Sequence, residues 1–238
     1  MESPFIKENT DFTLFGFQHQ LVLLAIVGLC FFLPWAARRW LNEKDQLLVA
    51  RGIKLLLAFG VVSWISMRLY LGQFEPTTDL PFDICNMVAL LLPLLMWNPT
   101  HRVHEIMYFW IFAGTIQAVI TPHLYEGFPH FTFFKYWIVH GGLIIYAVYI
   151  TTVFNLKPTR RSIFRAFAYL QGYAVFVLCI DLLLRANYMY LLGKPPTASP
   201  LDFLGPWPWY LLVSELVALV LFGLVYLPLT IRPKKAMQ

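Results

Sequence analysis

Seven stretches of this chain are apolar for long enough to cross a lipid bilayer as helices. That repetition constrains the fold more than any other feature. A hydrocarbon core of about 30 Å requires about 20 mostly apolar residues in helical form. The stretches run near residues 17–36, 47–71, 81–97, 104–121, 134–154, 163–186 and 207–230. The third is short and opens on Pro81. Pro34, Pro93 and Pro228 lie inside spans, where lipid-embedded helices tolerate proline as a kink. With 59% hydrophobic and 13% charged residues in a chain of 238, a water-soluble core has no means of hiding its apolar surface. The expectation is an all-α polytopic membrane protein: a single integral membrane domain over residues 1–238, built as a seven-helix transmembrane bundle.

Charge sets the orientation. Thirteen lysines and arginines fall on one side of the seven-span topology, including Arg38, Arg39, Lys44, Arg51, Lys54, Arg102, Arg165, Arg232, Lys234 and Lys235; five fall on the other, namely Lys7, Arg68, Lys135, Arg185 and Lys194. Cytoplasmic loops carry the excess of basic residues, which predicts an N-terminus outside and a C-terminus in the cytoplasm. The net charge of +5 therefore reflects topology, and with no basic-aromatic patch that tracks phosphates, no nucleic-acid partner is expected. Glu2, Glu8 and Asp11 outnumber Lys7 before the first span, so that span reads as retained and not as a signal peptide. No internal repeat suggests an inverted-repeat transporter. No lysine lies in the last span to carry a retinal Schiff base. The cysteines Cys30, Cys85 and Cys179 show no metal-knuckle spacing, and no metal or cofactor is expected.

Ionisable groups inside lipid are costly, at about 2.5–3.5 kcal/mol each on insertion scales, and each is a functional candidate. Here they are Arg68, Asp83, His140, Asp181, Arg185 and Glu215, with His19, Cys85, Asn86, Gln117 and Gln171 as polar companions. At about 1.5 Å per residue, Cys85 lies about 6 Å, His140 about 9 Å and Glu215 about 12 Å below the outer surface. Most of this polarity gathers in the outer half. Each group also has an ordinary reading. Asp181 and Arg185 are spaced i,i+4 and suited to pair with each other. Arg68 is suited to snorkel, and His140 to bond a neighbouring helix. Cys30 and Cys179 read as small core residues. Cys85 stands apart because Asp83 and Asn86 flank it at a helix N-terminus, where partial positive charge favours a thiolate. A histidine at similar depth suits the base that such a thiol needs. His101 and His104 lack the HExxH order of zinc hydrolases.

Three segments carry a family likeness. LPFDICNMVALLLPLL (80–95), TPHLYEGFPHFTFFKYWIVHGG (121–142) and NYMYLLGKPPTASPLDFLGPWPWY (187–210) resemble elements of the YwaF-type bacterial integral membrane proteins. These are similar in turn to the eukaryotic transmembrane protein 164 family, linked to fatty-acyl transfer onto lysophospholipids through a cysteine. A more distant likeness is to the androgen-induced family of threonine-dependent lipid hydrolases. The resemblance implies Cys85 as nucleophile and His140 as its base, and departs at Asp83, where the family often has histidine.

Together these readings predict a lipid acyltransferase, in effect a transacylase, working through an acyl-thioester on phospholipid and lysophospholipid in the outer leaflet. Asp83, Asn86 and Glu215 would support the site or its oxyanion, and His19, Gln117, Asp181 and Arg185 would line a polar cavity. His130, Asn187, Tyr188 and Lys194 would contact substrate from the outer loops. The expected setting is the cell membrane, bacterial by the resemblance. The competing readings are a transporter or channel using an Asp/Glu/His path, which calls for polar groups across the inner half, and a non-catalytic lipid-binding protein.

Overall fold

The computed structural model describes residues 5–7, 11–195 and 199–230. The charges read above at Glu2, Glu8, Arg232, Lys234 and Lys235 lie outside the described residues. Among the described residues the chain is all helix, without strands. Among the described residues, six helices are long and apolar enough to cross a membrane. They are α1 (Phe17–Trp40), α2 (Glu43–Tyr70), the run His101–Ile120, α6 (Phe131–Val153), α7 (Arg160–Leu184) and α8 (Trp209–Thr230). The run His101–Ile120 is α4 (His101–Trp110) and α5 (Ile116–Ile120), joined without a break by a π-helical turn, Ile111–Thr115.

The third expected span is the correction. It folds as α3, Ile84–Leu95, only 12 residues. At about 1.5 Å per residue it reaches about 18 Å, well short of a bilayer core. Pro81 keeps the start of the apolar run outside the helix, and α3 ends two residues after Pro93. Lys54 of α2 completes the stop: fully buried, it donates to the carbonyls of Met96 and, at 3.2 Å, Trp97. Arg51 adds a 2.9 Å bond to Asn98. A helix end leaves carbonyls without partners, and here an ammonium supplies them inside the bundle. The basic residues of α2 are therefore not all loop charges; one is an internal cap.

Contacts sort the helix ends into two groups. At the basic end Arg38 bonds the Thr152 carbonyl, Tyr149 the Gln46 carbonyl and His101 the Lys157 carbonyl. At the loop end Phe12 pairs with Tyr125 and Tyr188 reaches Pro76. The core runs between them through Leu57, Val88, Leu92, Leu143, Tyr146 and Ile150. Helix α6 is the central one: 61% of its apolar window is buried, against 11% for α7 and α8. Two adjacent glycines let its neighbours close in. A Cβ at Gly141 would stand 2.8 Å from Ile26 of α1, and one at Gly142 would stand 2.7 Å from Leu57 of α2. The glycines of the HGG sequence thus serve helix packing.

Candidate active site

Cys85 occupies the first turn of α3, with Asp83 at the N-cap. This leaves the thiol beside unpaired backbone N–H groups, as the sequence anticipates. The thiol's polar partner is Thr115, whose fully buried hydroxyl lies 3.5 Å from Sγ. Thr115 closes the π-helical turn, the kind of irregularity that re-aims a side chain within a helix. Nothing in the sequence distinguishes it from a core threonine. The Lys135 ammonium lies within electrostatic reach of Asp83, Cys85 and His140. It also lies 5.2 Å from the centre of the Trp64 ring. Lysine 135 entered the sequence reading only as an outer charge, yet it belongs to the cluster.

His140 stacks on Tyr136 at 4.1 Å between ring centres, and Nδ1 lies 2.9 Å from the Tyr136 carbonyl. A carbonyl only accepts, so Nδ1 carries the proton and Nε2 keeps its lone pair. That is the tautomer a general base requires. No hydrogen bond joins His140 to the Cys85 thiol, whose bond is to Thr115.

Two hollows meet at this point. A cleft walled by Ile84, Val88, Trp110, Ile111, Thr115 and Leu143 covers Cys85 and is too narrow for a water molecule. Beside it lies an apolar cavity of about 320 Å³ between α3, the π-helical turn, α7 and α8. Ile84 and Trp110 belong to both walls. The Trp110 indole is fixed by a 3.0 Å bond to the Ala166 carbonyl, and Ile84 is the aliphatic side chain that the two walls share. Gln117 lines the cavity, its amide bonded to Ala113.

Several expected site residues are committed elsewhere. His19 is fully buried, with Nδ1 accepting from the Phe15 N–H and Nε2 donating to Val119, so it fastens α1 to α5. His130 caps α6 and bonds Ile6, leaving neither nitrogen for a substrate. Asn187 uses its amide on Leu192 and Gly193 within its own loop. The Tyr188 hydroxyl bonds Pro76 and Leu80, and burial pushes it up to about 12. Lys194 lies 3.9 Å from Asp202. The roof of the cavity is instead apolar: Met189, Pro200, Leu201 and Leu204. Glu215 is hydrogen-bonded by Gln171 and so is tied to α7, not to His140.

Asp181 and Arg185 do not pair. Arg185 takes a left-handed conformation, φ 57°, at the end of α7, which breaks the helical geometry that i,i+4 pairing needs. Asp181 accepts from the Tyr188 N–H at 2.9 Å, and its second oxygen is buried without a partner. Asp83 accepts from the Met189 N–H at 3.4 Å. Met189 and Tyr190 both have φ near +55°, a costly backbone for residues other than glycine. The two carboxylates hold that loop over the cavity. Arg68 pairs with Asp79 at 2.9 Å. The Asn86 side-chain oxygen is buried and unpartnered one residue from the thiol. Among the described residues no group of three or more His, Cys, Asp or Glu side chains is arranged to hold a metal ion.

The TMEM164 family model matches residues 14–226, most of the chain. The chain belongs to the TMEM164 family. The match takes in α3, the π-helical turn and α6, and with them Cys85, Thr115 and His140. No curated protein and no solved structure matches. Family membership fixes the setting as a multi-pass membrane protein.

Proposed function

We propose that this TMEM164-family protein is a membrane-embedded lipid transacylase that uses Cys85 as nucleophile and His140 as base. The observation that carries the reading is the shared wall: an apolar cavity of about 320 Å³ stands one side chain, Ile84, away from the thiol. Ligand pockets of about 300–1,000 Å³ with few polar groups are typical of small-molecule sites. A lining whose polar side chains are Gln117 and Ser214, with Trp110 bonded away, suits an acyl chain. With the basic loops read as cytoplasmic, the thiol would lie toward the outer leaflet. Phospholipid is the natural acyl donor on that side.

The chemistry balances as two acyl transfers. Nε2 of His140 takes the Cys85 proton as Ile84 swings aside. The thiolate attacks the ester carbonyl, the S–C bond forms, and the C–O bond to the glycerol oxygen breaks. His140 returns its proton to that oxygen and a lysophospholipid leaves. A second lysophospholipid hydroxyl, or water, then gives its proton to His140 and attacks the thioester, regenerating the thiol. Helix-start N–H groups at α3 and the Lys135 charge oppose the negative charge of the tetrahedral oxyanion. Thr115 orients the sulfur.

The test is intact-mass analysis after incubation with phospholipid. The wild type gains one acyl mass, removable by hydroxylamine, and Cys85→Ala gains none and loses turnover. Equal turnover by the two proteins would overturn the proposal.

A further inference from the structure

A second groove, far from Cys85, opens on the lipid-facing side of α1 and α6 at the basic end. It encloses about 610 Å³ and is walled mainly by Cys30, Phe31, Pro34, Trp35 and Val148. Phe31 is 75% exposed and Trp35 54% exposed, so the apolar wall faces outward. The lip nearest the helix ends is different in character: Arg38, Arg39 and Thr152. Arg38 is held there by its bond to the Thr152 carbonyl, at the last turn of α6. Arg39 is exposed and, among the described residues, forms no ion pair.

We infer that this groove binds one anionic phospholipid, with an acyl chain along the Phe31–Trp35 wall and the phosphate at Arg38 and Arg39. The complementarity runs along the axis of α1. An apolar trough in a membrane-crossing surface is filled by hydrocarbon, since water there would leave the trough unsatisfied. The trough ends in two guanidiniums where a headgroup would lie, and a guanidinium matches phosphate oxygens with paired N–H donors. A zwitterionic headgroup places its own cation at the same depth, so the two arginines favour a net negative lipid. One arginine is anchored and the other is unengaged, which preorganises half of the recognition. Basic pockets between transmembrane helices recognise anionic headgroups by this logic. The site is independent of acyl transfer, because none of its walls touches the cavity beside Cys85.

The test is native mass spectrometry of the detergent-purified full chain titrated with phosphatidylglycerol and, separately, phosphatidylcholine. The wild type is expected to retain one phosphatidylglycerol at least tenfold more tightly than phosphatidylcholine. A basic residue near an anionic surface contributes about 1 kcal/mol, so Arg39→Gln weakens phosphatidylglycerol about fivefold, and the Arg38→Gln/Arg39→Gln pair about thirtyfold. Lys44→Gln, at the same end but outside the groove, changes binding less than twofold. Equal retention of the two lipids, or equal weakening by Lys44→Gln and Arg39→Gln, would overturn the site in favour of diffuse surface charge. Arg39→Gln leaves the Arg38–Thr152 bond intact and keeps the test valid if the double variant folds poorly. Unchanged acyl transfer in Arg39→Gln accompanies the expected result.

Discussion

The two ends of the bundle both bury polar groups, but they use them differently. At the basic end, Glu105 is 2% exposed and fully engaged: Ser162 and Arg165 donate to it, the latter at 2.7 Å. Nearby, His104 donates through Nε2 to the Thr151 hydroxyl, which in turn donates a hydrogen bond to the Ala147 carbonyl. These bonds tie the start of α7 to α4 and α4 to α6. At the loop end the polar groups are left in part unused. One oxygen of Asp181 and the side-chain oxygen of Asn86 have no partner, and the Cys85 thiol has one weak contact. Stability asks for complete pairing, whereas a site keeps groups in reserve. The contrast lies between the carboxylates, Glu105 fully paired and Asp181 half-paired, because His104 at the basic end also leaves Nδ1 buried without a partner.

The sharpest way to break that contrast is to remove the base. His140→Ala should lower acyl transfer about a hundredfold or more, the range general bases contribute, with little change in melting temperature. A large loss of stability with unchanged turnover per folded molecule would return His140 to the scaffold. Glu105→Ala should behave in the opposite way. It strips a buried acceptor from Ser162 and Arg165 and should cost about 2 kcal/mol, read as a lower melting temperature in detergent, while folded protein keeps its activity. The smallest effect tests the boundary between the regions. Tyr188→Phe removes the hydroxyl that bonds Pro76 and Leu80, and should cost about 1 kcal/mol, seen as faster amide exchange over residues 76–80 and 187–192. If exchange is unchanged, the roof is held by the carboxylates alone.

Much of the fold was legible because hydropathy and length decide membrane helices, and six of the expected spans are of crossing length. The third failed for a reason hydropathy does not encode. Its residues are as apolar as any span, but the helix stops where Lys54 meets its carbonyls, and that meeting depends on how α2 packs. Cys85 was legible as a first-turn thiol because sequence fixes a residue's place relative to its own helix start. The polar loop residues misled for the converse reason. Asn187, Tyr188 and His130 spend their polarity on backbone groups, leaving Met189 and Leu201 to face the cavity. Thr115 had no signal, since a π-helical turn has no pattern of its own in IFAGT.

The short helix α3 has a mechanical consequence. Long helices answer a thicker or thinner bilayer by tilting. Helix α3 is too short to span a bilayer core and is moored just past its foot to Lys54 and Arg51 of α2, so its height is set by its neighbour. The sulfur therefore keeps its station relative to α2 when the surrounding membrane changes thickness. If the proposed transacylase reading holds, bilayer composition would act as a vernier on which ester bond comes abreast of the thiol.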